Sequence, residues 1–430
     1  MSFGAGIVAE RSLFSGRSRG SDSLFGDANV GGSTASNTAF PRQAELRTLI
    51  EDEYFFLPAS PEARATFWAD LEEGAVAGMA AVAATPVATM DGYRRGLDYA
   101  AARGITEALG DDYTIFLEPL VGQPLREELA GQYEGIGIWV EQPEGEMTII
   151  APIVGSPAAR ADLRPGDVIL AADGHTLTGL QNDAAMSLIR GPAGTPVRLT
   201  LRRSGVVGPF DVIVDREAIV VPAVVYEPLA DGRVARITAG IFGDNTTREL
   251  DQALARAKND KVIGIILDLR GNGGGWVTSA QEMIGRFVPA DVGPALYQDL
   301  DLDDGDDLIA ELIVSDGETV FETPLVVLVD GGTASAAEIV AGAIHDYDRG
   351  VLVGEPTFGK GLVQRVHDFD DGSSARITFA RWLTPSQTPI PVEGLAPDIV
   401  VTVPAEAAGD PQLERALDVL LGDLATPSPE

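Results

Sequence analysis

Three patterns of apolar and polar residues follow one another along the chain. From residue 43 to about 117, apolar residues recur at three- and four-residue spacing, which predicts α-helices. From about 131 to 216, short alternating runs are separated by glycine turns, which predicts a small β-rich domain. From about 219 to 403, predicted strands and helices alternate. Two nearly continuous apolar runs there, 262–267 and 325–329, are typical of strands buried on both faces.

These patterns predict a multidomain α/β protein of five parts. The parts are a flexible N-terminal lead rich in Gly, Ser and Asn (1–42), a helical N-terminal region (43–118), a β-rich domain (119–217), an α/β core with a mixed sheet (218–405), and a C-terminal helix and tail (406–430).

The β-rich domain contains a linked series of turns and short helices. Residues 155–159 open a short helix, 163–170 form a turn into a strand, and 173–175 form a second turn. This order resembles a PDZ domain, although any small β-rich module with glycine turns is the alternative. In a PDZ domain an extended peptide adds as a strand, and loop amides bind its terminal carboxylate. The resemblance implies that the binding loop is formed by Gly135, Ile136, Gly137 and Ile138.

Composition excludes several functions. The net charge of −34 disfavours binding to nucleic acid or to an anionic membrane surface, and it indicates a strongly solvated acidic surface, as in a salty habitat. The absence of cysteine removes disulfides, thiolate metal sites and cysteine nucleophiles. Three histidines are few for a histidine-based metal site, so we expect neither metal nor cofactor.

The sequence has no run of 18 strongly apolar residues, and therefore no obvious membrane span. Its first eleven residues, MSFGAGIVAER, fit the remnant of a removed signal or anchor helix, and they also fit an ordinary disordered start.

Two predicted buried strands each end in a glycine-rich loop that precedes a helix. In the first loop, 267–275, four glycines occur within five residues; their amides could hold an oxyanion, or the loop is only a tight turn. In the second loop, Ser335 and Glu338 have the spacing of a helix capping box. The same position places Ser335 beside free amides and a favourable helix dipole, so that the Ala336 amide could serve an oxyanion.

Lys360 is one of only three lysines in a chain whose other cations are arginines. It lies between Gly359 and Gly361 in a strand-rich segment. Lysine can lose its proton when burial lowers its pKa, whereas arginine cannot, so this position raises the prospect of a general base.

Gly354 together with Gly359 and Lys360 also fits part of a P-loop. Gly361 replaces the magnesium-binding Ser or Thr, and the next residues predict a strand, so we expect no nucleotide binding.

The histidines compete with Lys360 as the base for Ser335. His345 follows ten residues later in the same predicted helix, ~15 Å along it, so it cannot reach the serine. His367 precedes a predicted hairpin turn, and His175 lies in the β-rich domain. No serine stands three residues before a lysine. Ser335 with Lys360 remains, and this pair is a known alternative to the histidine triad.

Together these segments resemble the carboxyl-terminal processing peptidases, also called tail-specific proteases. The matching segments span about residues 95 to 403, and they are 104–114, the PDZ-like block, 270–275, 333–338 and 357–364. The resemblance implies that Ser335 is the nucleophile, that Lys360 is the general base, and that Gln364 orients the lysine. It also implies oxyanion amides at Gly274 and Ala336.

The chain departs from the family pattern in two places. The sequence RGNGG at 270–274 replaces the more usual RNNPG, which shifts the oxyanion amide by up to one residue, and residues 43–95 have no clear counterpart. Geometry also tests Gln364. Four residues of straight strand span ~13 Å, so its role requires a bend between 360 and 364.

The expected function is that of a serine endopeptidase that cleaves proteins near apolar C-terminal tails, with the PDZ-like domain binding the tail or gating the site. Extracytoplasmic location is expected from the resemblance, whereas a membrane anchor in a longer form and homo-oligomerisation stay open. The alternatives are a catalytically silent PDZ scaffold that binds C-terminal tails and an acyl hydrolase of non-peptide esters.

Overall fold

The computed structural model describes residues 7–10, 40–83, 89–142, 145–153, 155–180, 182–300, 308–314, 317–404 and 409–423. It divides into two compact units, the first formed by Met1–Gln123 with Ala223–Glu430 and the second by Pro124–Pro222. Most of the predicted lead lies outside the described residues.

The helices are α1 (Pro41–Glu53), α2 (Pro61–Val82), α3 (Met90–Ala108), α4 (Pro119–Leu129), α5 (Pro157–Arg160), α6 (Asn182–Ile189), α7 (Thr246–Asp260), α8 (Val277–Phe287), α9 (Ala336–Asp346) and α10 (Pro411–Asp423). The strands of the second unit are β3 (Gln132–Gly135), β4 (Ile138–Glu141), β5 (Met147–Pro152), β6 (Val168–Ala172), β7 (His175–Thr176), β8 (Pro196–Arg202), β9 (Phe210–Asp215) and β10 (Glu217–Val220). Those of the first unit are β1 (Ile7–Glu10), β2 (Ile115–Leu117), β11 (Val224–Leu229), β12 (Val234–Ala239), β13 (Gly264–Asp268), β14 (Gly274–Trp276), β15 (Pro294–Asp299), β16 (Leu308–Leu312), β17 (Leu325–Val329), β18 (Val351–Gly354), β19 (Leu362–Asp368), β20 (Ser374–Leu383) and β21 (Ile399–Val400).

A six-stranded sheet forms the centre of the first unit, in the order β11-β12-β13-β17-β18-β21. All its neighbouring strands are parallel except the β11–β12 pair. Every residue of β13 and β17 is buried, as expected for strands covered on both faces. The two apolar runs of the sequence are therefore the centre of this sheet, and the mixed α/β core is confirmed.

A second sheet of the first unit follows the order β14-β1-β19-β20-β15-β16, with β2 also paired to β20. Strands β19 and β20 form an antiparallel hairpin, whereas β1 is parallel to both of its neighbours. The presence of β1 differs from the expectation of a flexible lead, because Ile7–Glu10 is a strand held in a sheet.

The helical region packs on this second sheet. Leu46, Ile50 and Leu71 share a buried cluster with Ala375 and Ile377 of β20. Helices α2 and α3 approach closely at two glycines, since a Cβ at Gly74 would lie 2.4 Å from the carbonyl oxygen of Gly104. The predicted boundary at residue 118 therefore does not separate the helices from the α/β core; both belong to one compact unit.

The second unit has its own sheet and its own core. Its strands follow the order β4-β5-β6-β8-β9, and β3 pairs with β10 in a separate ribbon. Met147, Leu199 and Ile189 are among the buried residues of its core. Strand β4 lies at one edge of the sheet, so its outer backbone groups have no neighbouring strand among the described residues.

In the part of the chain that the structure describes, no helix is long and apolar enough to cross a bilayer.

Candidate active site

The two glycine-rich loops that follow β13 and β17 are bonded to each other. Asp330 Oδ1 accepts hydrogen bonds from the amides of Gly332, at 2.9 Å, and Gly271, at 2.8 Å. Thr333 Oγ1 donates to the carbonyl oxygen of Leu269, also at 2.9 Å. Adjacent parallel strands end at the same edge of their sheet, which is where such sheets form their sites. The loop before Ser335 is therefore fixed against the loop before Gly274.

Ser335 is a buried residue with a strained backbone. It has φ 66° and ψ −121°, a region that non-glycine residues rarely adopt, and it directly precedes helix α9. Ser335 and Glu338 are placed as a capping box, in which each side chain would bond the backbone amide of the other residue. The bond to the glutamate side chain is formed, since Ser335 N donates to Glu338 Oε2 at 2.7 Å. Among the described residues, Ser335 Oγ has no hydrogen-bond partner. The Ser335 hydroxyl therefore does not act as a helix cap in this structure.

The Glu338 carboxylate links the serine to the lysine. Its Oε2 atom accepts from the backbone amides of both Ser335, at 2.7 Å, and Lys360, at 2.9 Å. Its Oε1 atom accepts from Thr357 Oγ1, at 2.6 Å, and Gly359 N, at 2.8 Å. One fully buried side chain therefore holds the nucleophile loop and the lysine loop together. The capping pattern identified Glu338, but the bonds to the second loop carry no signal in the sequence.

Lys360 is 2% exposed. Its pKa is lowered from 10.5 to about 7, mainly by burial and also by the nearby positive charge of Arg376, against the opposing effect of Asp111 and Glu338. The ammonium lies 4.5 Å from the centre of the Tyr113 ring. A lysine with a pKa of about 7 is neutral in a large fraction of molecules at neutral pH, so it can accept a proton.

Gln364 lies in β19 and is almost fully buried. The pairing of β19 with β20 is irregular between Val363 and Gln364, so the strand is bulged there and not straight. The side-chain amide of Gln364 donates to Thr378 Oγ1 at 3.2 Å. Strand β19 is therefore not straight at Gln364, and the orienting role of Gln364 stays a prediction.

The predicted oxyanion donors differ in their present bonding. Ala336 is the first residue of α9, where helix amides point away from the helix. The Gly274 amide donates to Asn272 Oδ1 at 2.8 Å, while Asn272 Nδ2 donates to the carbonyl oxygen of Ala239. Gly274 could therefore serve an oxyanion only after it releases Asn272. Asn272 was not identified from the sequence.

Two of the three histidines, His345 and His367, pair with carboxylates. His367 Nε2 lies 2.8 Å from Glu53 Oε2, and His345 Nε2 lies 3.4 Å from Asp398 Oδ1. No histidine is bonded to the hydroxyl of Ser335, the predicted nucleophile, within the described residues. The segment after Lys360 continues as strand β19 and not as the helix of a P-loop.

The predicted PDZ loop, Gly135–Ile138, connects β3 to the edge strand β4. Gly137 has φ +76°, and its carbonyl oxygen accepts from Ser156 Oγ and from Ile153 N, each at 3.0 Å. The Ile136 carbonyl oxygen accepts from Ala158 N. Ile138 opens β4, the edge strand. Its position fits the addition of a peptide strand, while contact with a peptide stays a prediction.

The first unit has an α/β core with a buried serine at a helix N-terminus and a buried lysine, and the second is a β-rich unit with an open edge strand. These features together fit a serine peptidase of modular build. Comparison with known proteins gives its family. The model of peptidase family S41 matches residues 233–401, and that of the PDZ domain matches residues 148–203.

Two curated relatives show how far the likeness extends. The carboxy-terminal processing protease CtpA of Bacillus subtilis is 36% identical over 326 residues, which cover 76% of this chain and 68% of the relative. The carboxy-terminal-processing protease of Bartonella bacilliformis is 32% identical over 317 residues, which cover 73% of this chain and 70% of the relative.

A solved S41 protease structure from Bacteroides fragilis shares the fold, with a TM-score of 0.54 at 16% identity, covering 88% of this chain and 97% of that one. The chain belongs to the S41 family of serine peptidases, among the carboxy-terminal processing proteases. The family resemblance, the fold class with its PDZ domain, and the enzyme class predicted from the sequence are confirmed.

Proposed function

We propose that Ser335 and Lys360 form the catalytic dyad of this peptidase and that it cleaves proteins near apolar C-terminal tails. The observation that carries the proposal is the shared bond at Glu338, whose Oε2 atom accepts from the amides of both residues. The lysine is buried and its pKa is lowered to about 7, which a base at neutral pH requires.

The reaction begins with neutral Lys360 Nζ taking the proton of Ser335 Oγ as the oxygen attacks the scissile carbonyl carbon. The carbonyl π electrons move to oxygen, and the Ala336 amide stabilises that oxyanion together with an amide of the Gly274 loop. The tetrahedral intermediate then collapses, and Lys360 gives its proton to the leaving amine. A water molecule, deprotonated by Lys360, then attacks the acyl carbon. The bond between that carbon and Ser335 Oγ breaks as Lys360 returns the proton to Oγ, and the second product leaves as a carboxylic acid.

Substrate selection is proposed to belong to the PDZ domain. The turn at Gly135–Gly137 would bind the terminal carboxylate, and the tail would extend β4 from Ile138 onward. Backbone hydrogen bonds supply affinity in this mode, so many tails can bind. From the family resemblance we also propose that these substrates are extracytoplasmic proteins.

The test compares wild type with Ser335→Ala and Lys360→Ala on an unfolded protein that ends in apolar residues, with product masses as the readout. We expect wild type to release C-terminal fragments and both variants to be inactive, with unchanged circular dichroism. Cleavage by both variants would contradict the dyad. Binding of the tail without cleavage, and without acylation of Ser335 by a fluorophosphonate, would favour a silent scaffold.

A further inference from the structure

Strand β1 occupies a gap between the two elements that flank the candidate active site. Ile7 is paired with Gly274 and Val8 with Gly275 on one side, while Ala9 is paired with Gln364 on the other. The segment is parallel to both neighbours. Residues 7–10, near the start of the chain, thus lie between the loop predicted to hold the oxyanion and the strand that follows Lys360.

The two strands next to β1, which are β14 and β19, each form backbone hydrogen bonds on the side that faces away from β1. Strand β19 pairs with β20, and the β14 backbone exchanges hydrogen bonds with Phe242, whose amide donates to the Gly274 carbonyl oxygen. Each of the two strands therefore turns one backbone edge toward the gap. A strand in this gap satisfies both edges at once, which is the mode in which peptides extend sheets.

A peptide substrate needs the same place. The scissile carbonyl must reach Ser335, whose preceding residue Ala334 donates from its amide to the Asn272 carbonyl oxygen, two residues before β14. An extended peptide bonded to β14 lies along that loop. Backbone bonding reads no particular sequence, so a segment of the chain itself can bind there as well as a foreign peptide.

We propose that residues 7–10 are an intramolecular competitor that binds in the substrate-strand position between β14 and β19 and must leave before a protein substrate enters. That the ligand displaced by residues 7–10 is a peptide substrate rests on the proposed function. The strand is only four residues long, so its release is readily reversible. Tethering supplies it at a high effective concentration, and the apparent affinity for substrate falls in proportion to the fraction of molecules that are open.

Proline at position 8 tests the strand in the full chain. Val8→Pro removes one amide from a segment paired on both sides and disfavours the strand, whereas Val8→Thr keeps the amide and the β-branched shape. Both are made in the Ser335→Ala background, which prevents self-cleavage, and followed by hydrogen exchange. We expect faster exchange in the segments paired with β1, at Gly275 and at residues 364–365, in Val8→Pro and wild-type exchange in Val8→Thr. Equal exchange in the two variants would overturn the proposal.

Kinetics with Ser335 intact test competition. Val8→Pro is expected to lower KM for an unfolded protein by about tenfold, as when about one molecule in ten is open in wild type, with kcat unchanged. A synthetic peptide of residues 3–14 added to Val8→Pro should raise KM again as a competitive inhibitor. Unchanged KM despite faster exchange would overturn competition. If Val8→Pro exchanges faster but the protein cleaves no substrate, the result supports the site of β1 between β14 and β19 and contradicts the proposed peptidase function.

Discussion

At the scale of single residues, Lys360 and Ser335 each carry an unfavourable feature that the fold maintains. Lys360 is a buried amine whose pKa is lowered to about 7, and Ser335 has a positive φ and a buried hydroxyl without a partner among the described residues. Both features cost stability, and costs of this kind concentrate at functional sites. The costs can be measured separately from activity.

Replacing Lys360 with methionine should stabilise the protein in a pH-dependent way. The folded pKa, about 7, is below the unfolded value of 10.5, so the unfolded state binds more protons between these limits and wild-type stability rises with pH there. The gain from Lys360→Met is therefore largest at or below pH 7 and shrinks by roughly 1.4 kcal/mol per unit above it. Urea unfolding of both proteins across this range measures the gain; a gain independent of pH would show that Lys360 keeps an ordinary pKa.

At the scale of elements, the site depends on loops joined through Glu338. Glu338→Gln removes one acceptor oxygen and places an NH₂ group against amides that donate, so we expect a loss of roughly 3 kcal/mol in stability together with most of the activity. Exposed Glu393→Gln is the matched control and should behave as wild type. Thermal unfolding and cleavage assays of both variants test this; a fully active Glu338→Gln would show that the shared bonds do not position the dyad.

The two glycines beside Lys360 offer a matched pair of variants. Gly359 has φ +92°, and a Cβ there would lie 2.3 Å from the Val392 carbonyl oxygen. At Gly361 the nearest atom to an added Cβ, the Ile390 carbonyl oxygen, is 3.5 Å away, an ordinary contact. Gly359→Ala should shift the lysine by ~1 Å and reduce kcat/KM about 100-fold, whereas Gly361→Ala should keep most activity. Equal effects of the two on kcat/KM would contradict this account of the loop.

Much of the site could be predicted from the sequence because local patterns mark it. Glycines flank Lys360, and a capping pattern with buried strands marks Ser335. The bonds of Glu338 to the lysine loop could not be predicted, because its partners lie 19 to 22 residues away and only the fold brings them close. The same holds for Asn272, whose bond to Gly274 depends on how the loop closes.

At the scale of the whole molecule, buried strands were predicted more readily than the packing between distant segments. The buried strands β13 and β17 are evident as apolar runs. The placement of the helical region on β20 is not, since it rests on contacts such as Thr114 Oγ1 with Thr378 N, 264 residues apart. Likewise, nothing in the composition of the lead predicts that Ile7–Glu10 forms a strand.

The PDZ unit should bind tails through its turn at Gly137. A Cβ at this position would lie 2.4 Å from Ser156 Cβ, whereas Gly205, with a similar φ of +81°, has open space around it. We expect Gly137→Ala to weaken binding of a free-acid C-terminal peptide by about tenfold, or 1.4 kcal/mol, and Gly205→Ala to leave binding unchanged. Calorimetric titration measures both, with the amidated peptide as a ligand control. Equal affinity of the acid and the amide would contradict carboxylate recognition.

The most direct test of the dyad is the rate at which a fluorophosphonate acylates Ser335 as a function of pH, in wild type and in Lys360→Arg. Arginine keeps a positive charge but cannot act as the base. From about pH 5 to about pH 9, we expect the wild-type rate to rise through a pKa of about 7, and the Lys360→Arg variant to remain unlabelled. Labelling of Lys360→Arg at the wild-type rate would contradict the assignment of Lys360 as the base for Ser335.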